Sequence, residues 1–149
     1  MEIREYIKNN ILYLDGGMGT ILQSYGLELG ELPETWNFKK ADTITNIHRE
    51  YFNAGSNVVN TNTFGANTLK FSEAELEEII KSAIENAKTA RDTSTGKQEK
   101  FIALDIGPTG KMLKPLGDLD FEDAVNIFAK TVSLGVKYGA DLIFIETMN

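Results

Sequence analysis

The stretch FIALDIG, residues 101–107, indicates the fold class of this 149-residue chain. It is a short and nearly continuous apolar run that ends at a glycine. Such a run is typical of a strand that is buried on both faces, as in a parallel sheet. Three further runs share this character: ILYLD (11–15), NVVNTNTF (57–64) and DLIFIET (141–147). We therefore predict four parallel strands.

Amphipathic helical patterns lie between these runs. Ser72 and Glu75 have the spacing of a capping box, and the apolar residues after them recur with the helical period. These residues are Leu76, Ile79, Ile80, Ala83, Ile84 and Ala87. Asp42 and Asp120 are predicted to cap two further helices. The helix after Asp120 would turn inward Ala124, Val125, Phe128 and Val132.

Strands that alternate with helices form a parallel sheet through right-handed crossovers. The four apolar runs begin at residues 11, 57, 101 and 141. A complete (β/α)8 barrel takes about 250 residues, so four such units correspond to half of a barrel. A small open α/β sheet would show the same periodicity, and both architectures are open at this point.

Composition excludes several classes of site. The net charge of −7 argues against a nucleic-acid-binding surface, because basic side chains supply most of that affinity. The chain contains no cysteine, so disulfides, thiolate metal sites and cysteine nucleophiles are absent from it. The N-terminus mixes charges, and no apolar run approaches the roughly 20 residues of a membrane span. We predict a cytoplasmic protein with no membrane partner.

Polar residues follow the predicted strands where each strand ends. They are Asp15, residues 60–63, Asp105 and Glu146. In parallel α/β folds the carboxyl ends of the strands form the working surface. Carboxylates that converge there would suit a ligand with a positive charge, such as an amino group.

The turn DGGMGT, residues 15–20, has two interpretations. Its glycines could let backbone amides approach a ligand anion while Asp15 binds a cation, or it could be a plain strand-to-helix turn. It matches neither the phosphate-binding GxxxxGK[ST] loop nor the dinucleotide-binding GxGxxG loop. Glu146 has the same two interpretations, ligand contact or a solvated strand end, and Asp105 is predicted to have a structural role in a turn.

Four motifs together resemble the homocysteine S-methyltransferase family. They are DGGMGT (15–20), HREYFNAGSNVVNTNTFGAN (48–67), DIGPTGKM (105–112) and DLIFIET (141–147). The likeness is strongest to the N-terminal homocysteine-binding module of cobalamin-dependent methionine synthase. It implies an α/β fold in which residues 1–149 form the N-terminal half of a (β/α)8 barrel, incomplete at its C-terminus.

The resemblance also implies a site for homocysteine. Asp15 and Glu146 would hold the amino group of the substrate, and the backbone amides of Gly16 and Gly17 would receive its carboxylate. Asn62 and Thr63 are further candidates for substrate contact. Family members bind zinc through three cysteines in the second half of the barrel. This chain has no cysteine, so we expect the zinc ligands beyond residue 149 and no catalytic or metal-binding residue within the chain.

The implied reaction is methyl transfer to the zinc-activated thiolate of homocysteine, which gives methionine. In the methionine synthase type, methylcobalamin supplies the methyl group and methyltetrahydrofolate recharges it on separate modules. We expect the isolated chain to be inactive. Its open sheet edges predict self-association, or pairing with the missing half-barrel and with corrinoid and folate modules. Three alternatives are open: an amino-acid-binding module without chemistry, a truncated fragment, and an enzyme that uses betaine or S-methylmethionine.

Overall fold

A parallel sheet organises the chain. The computed structural model describes residues 2–148. Its three strands are β1 (Val58–Asn60), β2 (Phe101–Ile106) and β3 (Leu142–Ile145), and they lie side by side in that order. Both strand pairs are parallel, so the carboxyl ends of all three strands meet at one edge of the sheet.

Helices connect and cover the strands. They are α1 (Ile3–Tyr6), α2 (Gly19–Ser24), α3 (Trp36–Lys39), α4 (Ala41–Ala54), α5 (Glu73–Thr93) and α6 (Phe121–Tyr138), with a 3-10 turn at Pro33–Thr35 before α3. Helix α5 connects β1 to β2, and α6 connects β2 to β3. The predicted alternation of strands and helices is therefore confirmed from β1 onward. None of the helices within residues 2–148 combines the length and the apolar character needed to cross a membrane.

Strand β2 forms the centre of the core, and all six of its residues are buried. Leu104 packs in a cluster with apolar residues of α5 and α6, among them Ile80 and Leu134. Gly135 lets α6 approach the sheet closely, because a Cβ there would lie 2.5 Å from Cδ2 of Leu104. The apolar run that predicted the fold class is thus buried on both faces.

The helix predictions are confirmed in part. The capping box is present: the Ser72 hydroxyl accepts from the amide of Glu75, and the Glu75 carboxylate accepts from the amide of Ser72. All six apolar residues predicted for the inner face of α5 are buried. Val125 of α6 is 43% exposed, so its predicted inward position is wrong.

Of the two predicted aspartate caps, Asp42 is wrong and Asp120 is confirmed in position only. Helix α4 begins after Lys40, and Asp42 lies within its first turn. Asp120 occupies the cap position of α6, but its carboxylate makes no capping bond. It accepts instead from the Lys114 ammonium at 2.9 Å.

The first predicted strand, residues 11–15, is wrong as a strand. It is reduced to a single bridge between Leu14 and Val58. The Tyr13 carbonyl accepts from the amides of both Asn57 and Val58, and the Tyr13 amide donates to the Asn57 side chain. The Tyr13 amide thus bonds to a side chain where a regular ladder would use a backbone carbonyl. The segment lies at the edge of the sheet, where Ile11 is 71% exposed.

The opposite edge is open. Within residues 2–148, β3 pairs only with β2. Ile145 at its end is 64% exposed, and Phe121 and Val136 of α6 are exposed to a similar degree. An apolar strand edge therefore lies next to a partly apolar helix.

Candidate functional site

A cavity of about 540 Å³ opens at the carboxyl edge of the sheet. Every segment that reaches this edge contributes to its wall. The lining consists of residues 14–19, 33–34, 60–62 and 64, together with Asp105, Phe144 and Glu146. The cavity thus joins the glycine-rich turn (residues 15–20), the irregular insertion between α2 and α4 (residues 25–40) and the ends of all three strands.

Asp15 is held in place by Asn60, the last residue of β1. One oxygen of its carboxylate accepts from the backbone amide of Asn60 at 2.9 Å, and the other accepts from the Asn60 side-chain amide at 3.0 Å. Hydrogen bonds to an ionised carboxylate are among the stronger ones in proteins. The end of β1 therefore sets the position and direction of Asp15.

The glycine-rich turn packs against α4. The Tyr51 hydroxyl donates to the carbonyl of Gly17 at 3.0 Å, and a Cβ on Gly16 would lie 2.8 Å from that hydroxyl oxygen. Any larger residue at position 16 would therefore collide with the Tyr51 side chain. A Cβ on Gly19 would meet nothing within 4 Å, so packing within the chain does not explain why that position lacks a side chain.

Three carboxylates in the cavity influence one another. The pKa of Asp105 is raised to about 7, mainly by burial and in addition by the nearby charges of Glu146 and Asp15. Burial also raises the pKa of Asp15 to about 6, against the hydrogen bonds from Asn60, and the charge of Glu146 adds to the rise. The cavity therefore favours a bound cation, which would relieve the repulsion among the carboxylates.

The two further candidate residues differ in position. Asn62 lines the cavity, and its side-chain amide donates to the carbonyl of Pro33 at 2.8 Å. Thr63 is buried beneath the wall and is not part of the lining. Its hydroxyl donates to the carbonyl of Asp105 at 2.7 Å and shares a hydrogen bond with Thr61. Thr63 therefore supports the wall through its hydroxyl, and its contact with a substrate stays a prediction.

Glu34 and Asp105 were not predicted as site residues. Asp105 ends a strand as the other carboxylates do, but the following Gly-Pro sequence favoured a turn role. Glu34 lies in the irregular insertion and is only 4% exposed. Its Oε1 accepts from the Gly65 amide at 2.7 Å. No local pattern marks a loop carboxylate that becomes buried only through such a long-range contact.

The residues of this chain do not fit a thiolate zinc site. Within residues 2–148, no group of three or more His, Asp or Glu side chains is arranged to hold a metal ion, and the sequence has no cysteine. His48 is fully enclosed in α4, and burial lowers its pKa to about 4. Structural and catalytic zinc sites need three or four protein donors drawn from Cys, His, Asp and Glu, and the one imidazole within residues 2–148 is buried outside any such group.

The model of one protein family, described as homocysteine S-methyltransferase, matches residues 12–149. The chain belongs to this family. The family prediction made from the four sequence motifs is therefore confirmed. The match begins just before the glycine-rich turn and includes every segment that lines the cavity.

Relatives in this family are longer than the chain. The methionine synthases of Mycobacterium leprae (strain TN) and Mycobacterium tuberculosis (strain ATCC 25618 / H37Rv) are each 26% identical to it over 157 residues. Each alignment covers 98% of this chain and 13% of the relative. The chain therefore spans a small part of the length of these curated relatives.

Two solved structures share the fold of the chain over about half of their own length. The oxidised form of the Escherichia coli homocysteine methyltransferase MmuM superposes with a TM-score of 0.78 at 23% identity, covering 95% of this chain and 55% of that one. Its metallated form gives a TM-score of 0.78 at 21% identity, covering 97% and 56%. The chain thus has the fold of about half of a homocysteine methyltransferase barrel, and the predicted half-barrel architecture is confirmed.

Proposed function

We propose that this chain is the homocysteine-binding part of a homocysteine methyltransferase of the methionine synthase type. One observation carries the proposal: in a member of this family, Asp15, Asp105 and Glu146 line one cavity beside a glycine-rich turn. Residues 1–149 would then be the N-terminal part of a homocysteine-binding barrel domain that is incomplete at its C-terminus.

In the proposed complex, the ammonium and carboxylate groups of the amino acid lie side by side, because both are attached to its α-carbon, and they meet neighbouring residues of the cavity wall. Asp15 and Glu146 accept hydrogen bonds from the ammonium group, which has three N–H donors to offer. The amides of Gly16 and Gly17 receive the carboxylate, as backbone amides in turns can do for anions. Asn60 supports this arrangement, since it holds Asp15 through two hydrogen bonds.

The proposed parent reaction is methyl transfer to the homocysteine thiol, which yields methionine. Because the donors in this chain do not fit zinc, we assign the zinc ligands to the other half of the barrel. We assign the methylcobalamin and methyltetrahydrofolate sites to other modules. The role of the present residues is to bind and orient the amino acid.

We expect the purified chain to bind homocysteine without zinc and to show no methyl-transfer activity. Binding near pH 7 should release protons, because a bound ammonium lowers the raised pKa values of Asp15 and Asp105. Titration calorimetry in two buffers with different ionisation enthalpies would measure this release. An analogue without the amino group, 4-mercaptobutanoate, should release none.

Two results would contradict these expectations. A folded chain that binds no homocysteine would favour the alternative of a fragment without a function of its own. Methionine formation by the purified chain, supplied with zinc and a methyl donor, would disprove its inactivity. Binding with proton release but without turnover is the result that the proposed division of labour predicts.

We also propose that the open edge of β3 pairs with another chain or with a second half-barrel. Ile145 and the exposed residues Phe121 and Val136 would be covered in that assembly. Small-angle scattering of the chain should therefore show a dimer or larger species, and Ile145→Lys should shift it toward the monomer. A monodisperse monomer at all concentrations, with no response to a co-expressed C-terminal half-barrel, would contradict this proposal.

A further inference from the structure

We propose that Glu34 is an additional substrate-contacting carboxylate, and that its free oxygen accepts a hydrogen bond from the ammonium group of the bound amino acid. This inference rests on the proposed function and deepens it. It assigns the third N–H of the substrate ammonium, beside the two that Asp15 and Glu146 would accept. It also gives the irregular insertion between α2 and α4 a role in recognition.

The first observation is the unequal use of the two Glu34 oxygens. Oε1 accepts from the Gly65 amide at 2.7 Å. Oε2 is buried and has no hydrogen-bond partner within the described part of the chain. A buried carboxylate oxygen without a donor is costly, and this side chain lines the cavity. A ligand N–H would supply the missing donor.

The second observation is how firmly the side chain is held. Gly65 has room for the carboxylate only because it lacks a Cβ, which would lie 2.5 Å from Oε1. The Lys70 ammonium would lie 2.7 Å from the same Cβ, so Gly65 leaves room for both side chains. Asn37 donates both to the carbonyl of Glu34 at 2.9 Å and to the carbonyl of Asn62 at 2.8 Å. These contacts fix Glu34 in advance of ligand binding, which favours tight binding.

The surroundings of Glu34 decide the class of ligand. The same cavity contains Asp15, Asp105 and Glu146, so an anionic group facing Glu34 would be repelled. A sulfonium or a quaternary ammonium carries positive charge but no N–H, and it would leave Oε2 without a donor. A primary ammonium satisfies both the charge and the hydrogen-bonding requirement, because it has three N–H donors.

The test compares Glu34→Gln with the unaltered chain. Glutamine keeps the shape of the side chain but removes the charge, and it can turn an NH2 group toward the ligand. A hydrogen bond to a charged group contributes roughly 1.5–3 kcal/mol, so we expect the Kd for homocysteine to rise about 10- to 100-fold. Glu31→Gln is the matched control, because Glu31 lies in the same insertion and accepts from the Trp36 indole at 2.7 Å. We expect it to bind homocysteine as the unaltered chain does.

A second ligand separates contact from mere support of the loop. The N,N,N-trimethyl derivative of homocysteine keeps the charge and lacks the N–H donors. The unaltered chain should bind homocysteine more tightly than this derivative. In Glu34→Gln, the ratio of the Kd for the derivative to the Kd for homocysteine should be at least tenfold smaller. An equal loss of affinity for both ligands, or unchanged homocysteine binding by the variant, would overturn the inference. A failure of the proposed function would show differently, because the unaltered chain would then bind no homocysteine at all.

Discussion

Replacement of Asp15 by asparagine should weaken homocysteine binding by about 100-fold, or roughly 2.7 kcal/mol. The change removes the charge that would face the substrate ammonium. In Asp15, each carboxylate oxygen accepts one hydrogen bond from Asn60. Asparagine would replace one of these oxygens by an NH2 group, which would then face an Asn60 donor. Leaving a buried donor without an acceptor costs about 1–3 kcal/mol of folding stability in the free and bound states alike, so the weaker binding comes from the loss of the charged contact, which is worth roughly 1.5–3 kcal/mol. Titration calorimetry of the folded variant measures the effect.

Asp42→Asn is a matched control for this experiment. Asp42 is exposed in the first turn of α4 and does not line the cavity, so its replacement should leave the Kd within about twofold. Circular dichroism would verify that both variants are folded. If Asp15→Asn bound homocysteine with less than a threefold loss while folded, Asp15 would not be the ammonium partner, and the aspartate would have only a turn role.

Replacement of Asp105 by asparagine should stabilise the chain at alkaline pH. The pKa of Asp105 is raised from 3.8 to about 7 in the folded chain, mainly by burial. Such a group contributes stability below its unfolded pKa, and this contribution is lost as the pH rises through the folded value. The change in pKa corresponds to about 4 kcal/mol. The cavity is open to solvent, so we expect about half of this gain, roughly 2 kcal/mol, for the variant at pH 8.

The gain from Asp105→Asn should disappear near pH 4, where the aspartate is protonated in the folded chain. Urea unfolding at several pH values between 4 and 8 would measure both limits. The slope of unfolding free energy against pH should be smaller for the variant, while Asp42→Asn should keep the slope of the unaltered chain. A variant that is less stable at pH 8 would show that Asp105 makes favourable contacts as an anion and that its burial is not the dominant influence.

The fold was predictable where the apolar pattern alone decides the structure. The run around Leu104 is buried on both faces because α5 and α6 cover one face and α1 with the segment after it covers part of the other. Ser72 caps α5 through contacts within four residues. The run at residues 11–15 looks the same in sequence, but it forms only one bridge, and the amide of Tyr13 donates to the side chain of Asn57. That outcome depends on a residue 44 positions away, which periodicity does not report.

The cavity was predictable at the strand ends and not in the loops. Asp15, Gly16 and Glu146 were identified because parallel strands bring their carboxyl ends to one edge. Glu34 was missed because its burial depends on the amide of Gly65, 31 residues further along. The support that Thr63 gives to the wall was missed for a related reason. Alternation along a strand suggests which side chains face inward, but only the packed structure shows that its hydroxyl bonds to the Asp105 carbonyl.

The attachment of Asp15 to Asn60 has a consequence for recombination of this fold. The carboxylate lies in the segment before α2, whereas both of its hydrogen-bond donors belong to Asn60 at the end of β1. A chimaera whose crossover falls between these two residues would inherit an aspartate without its donors, or donors without their aspartate. The smallest piece that keeps Asp15 with its donors therefore runs from the glycine-rich turn through the end of β1, and the whole cavity, with Glu146, needs the half-barrel.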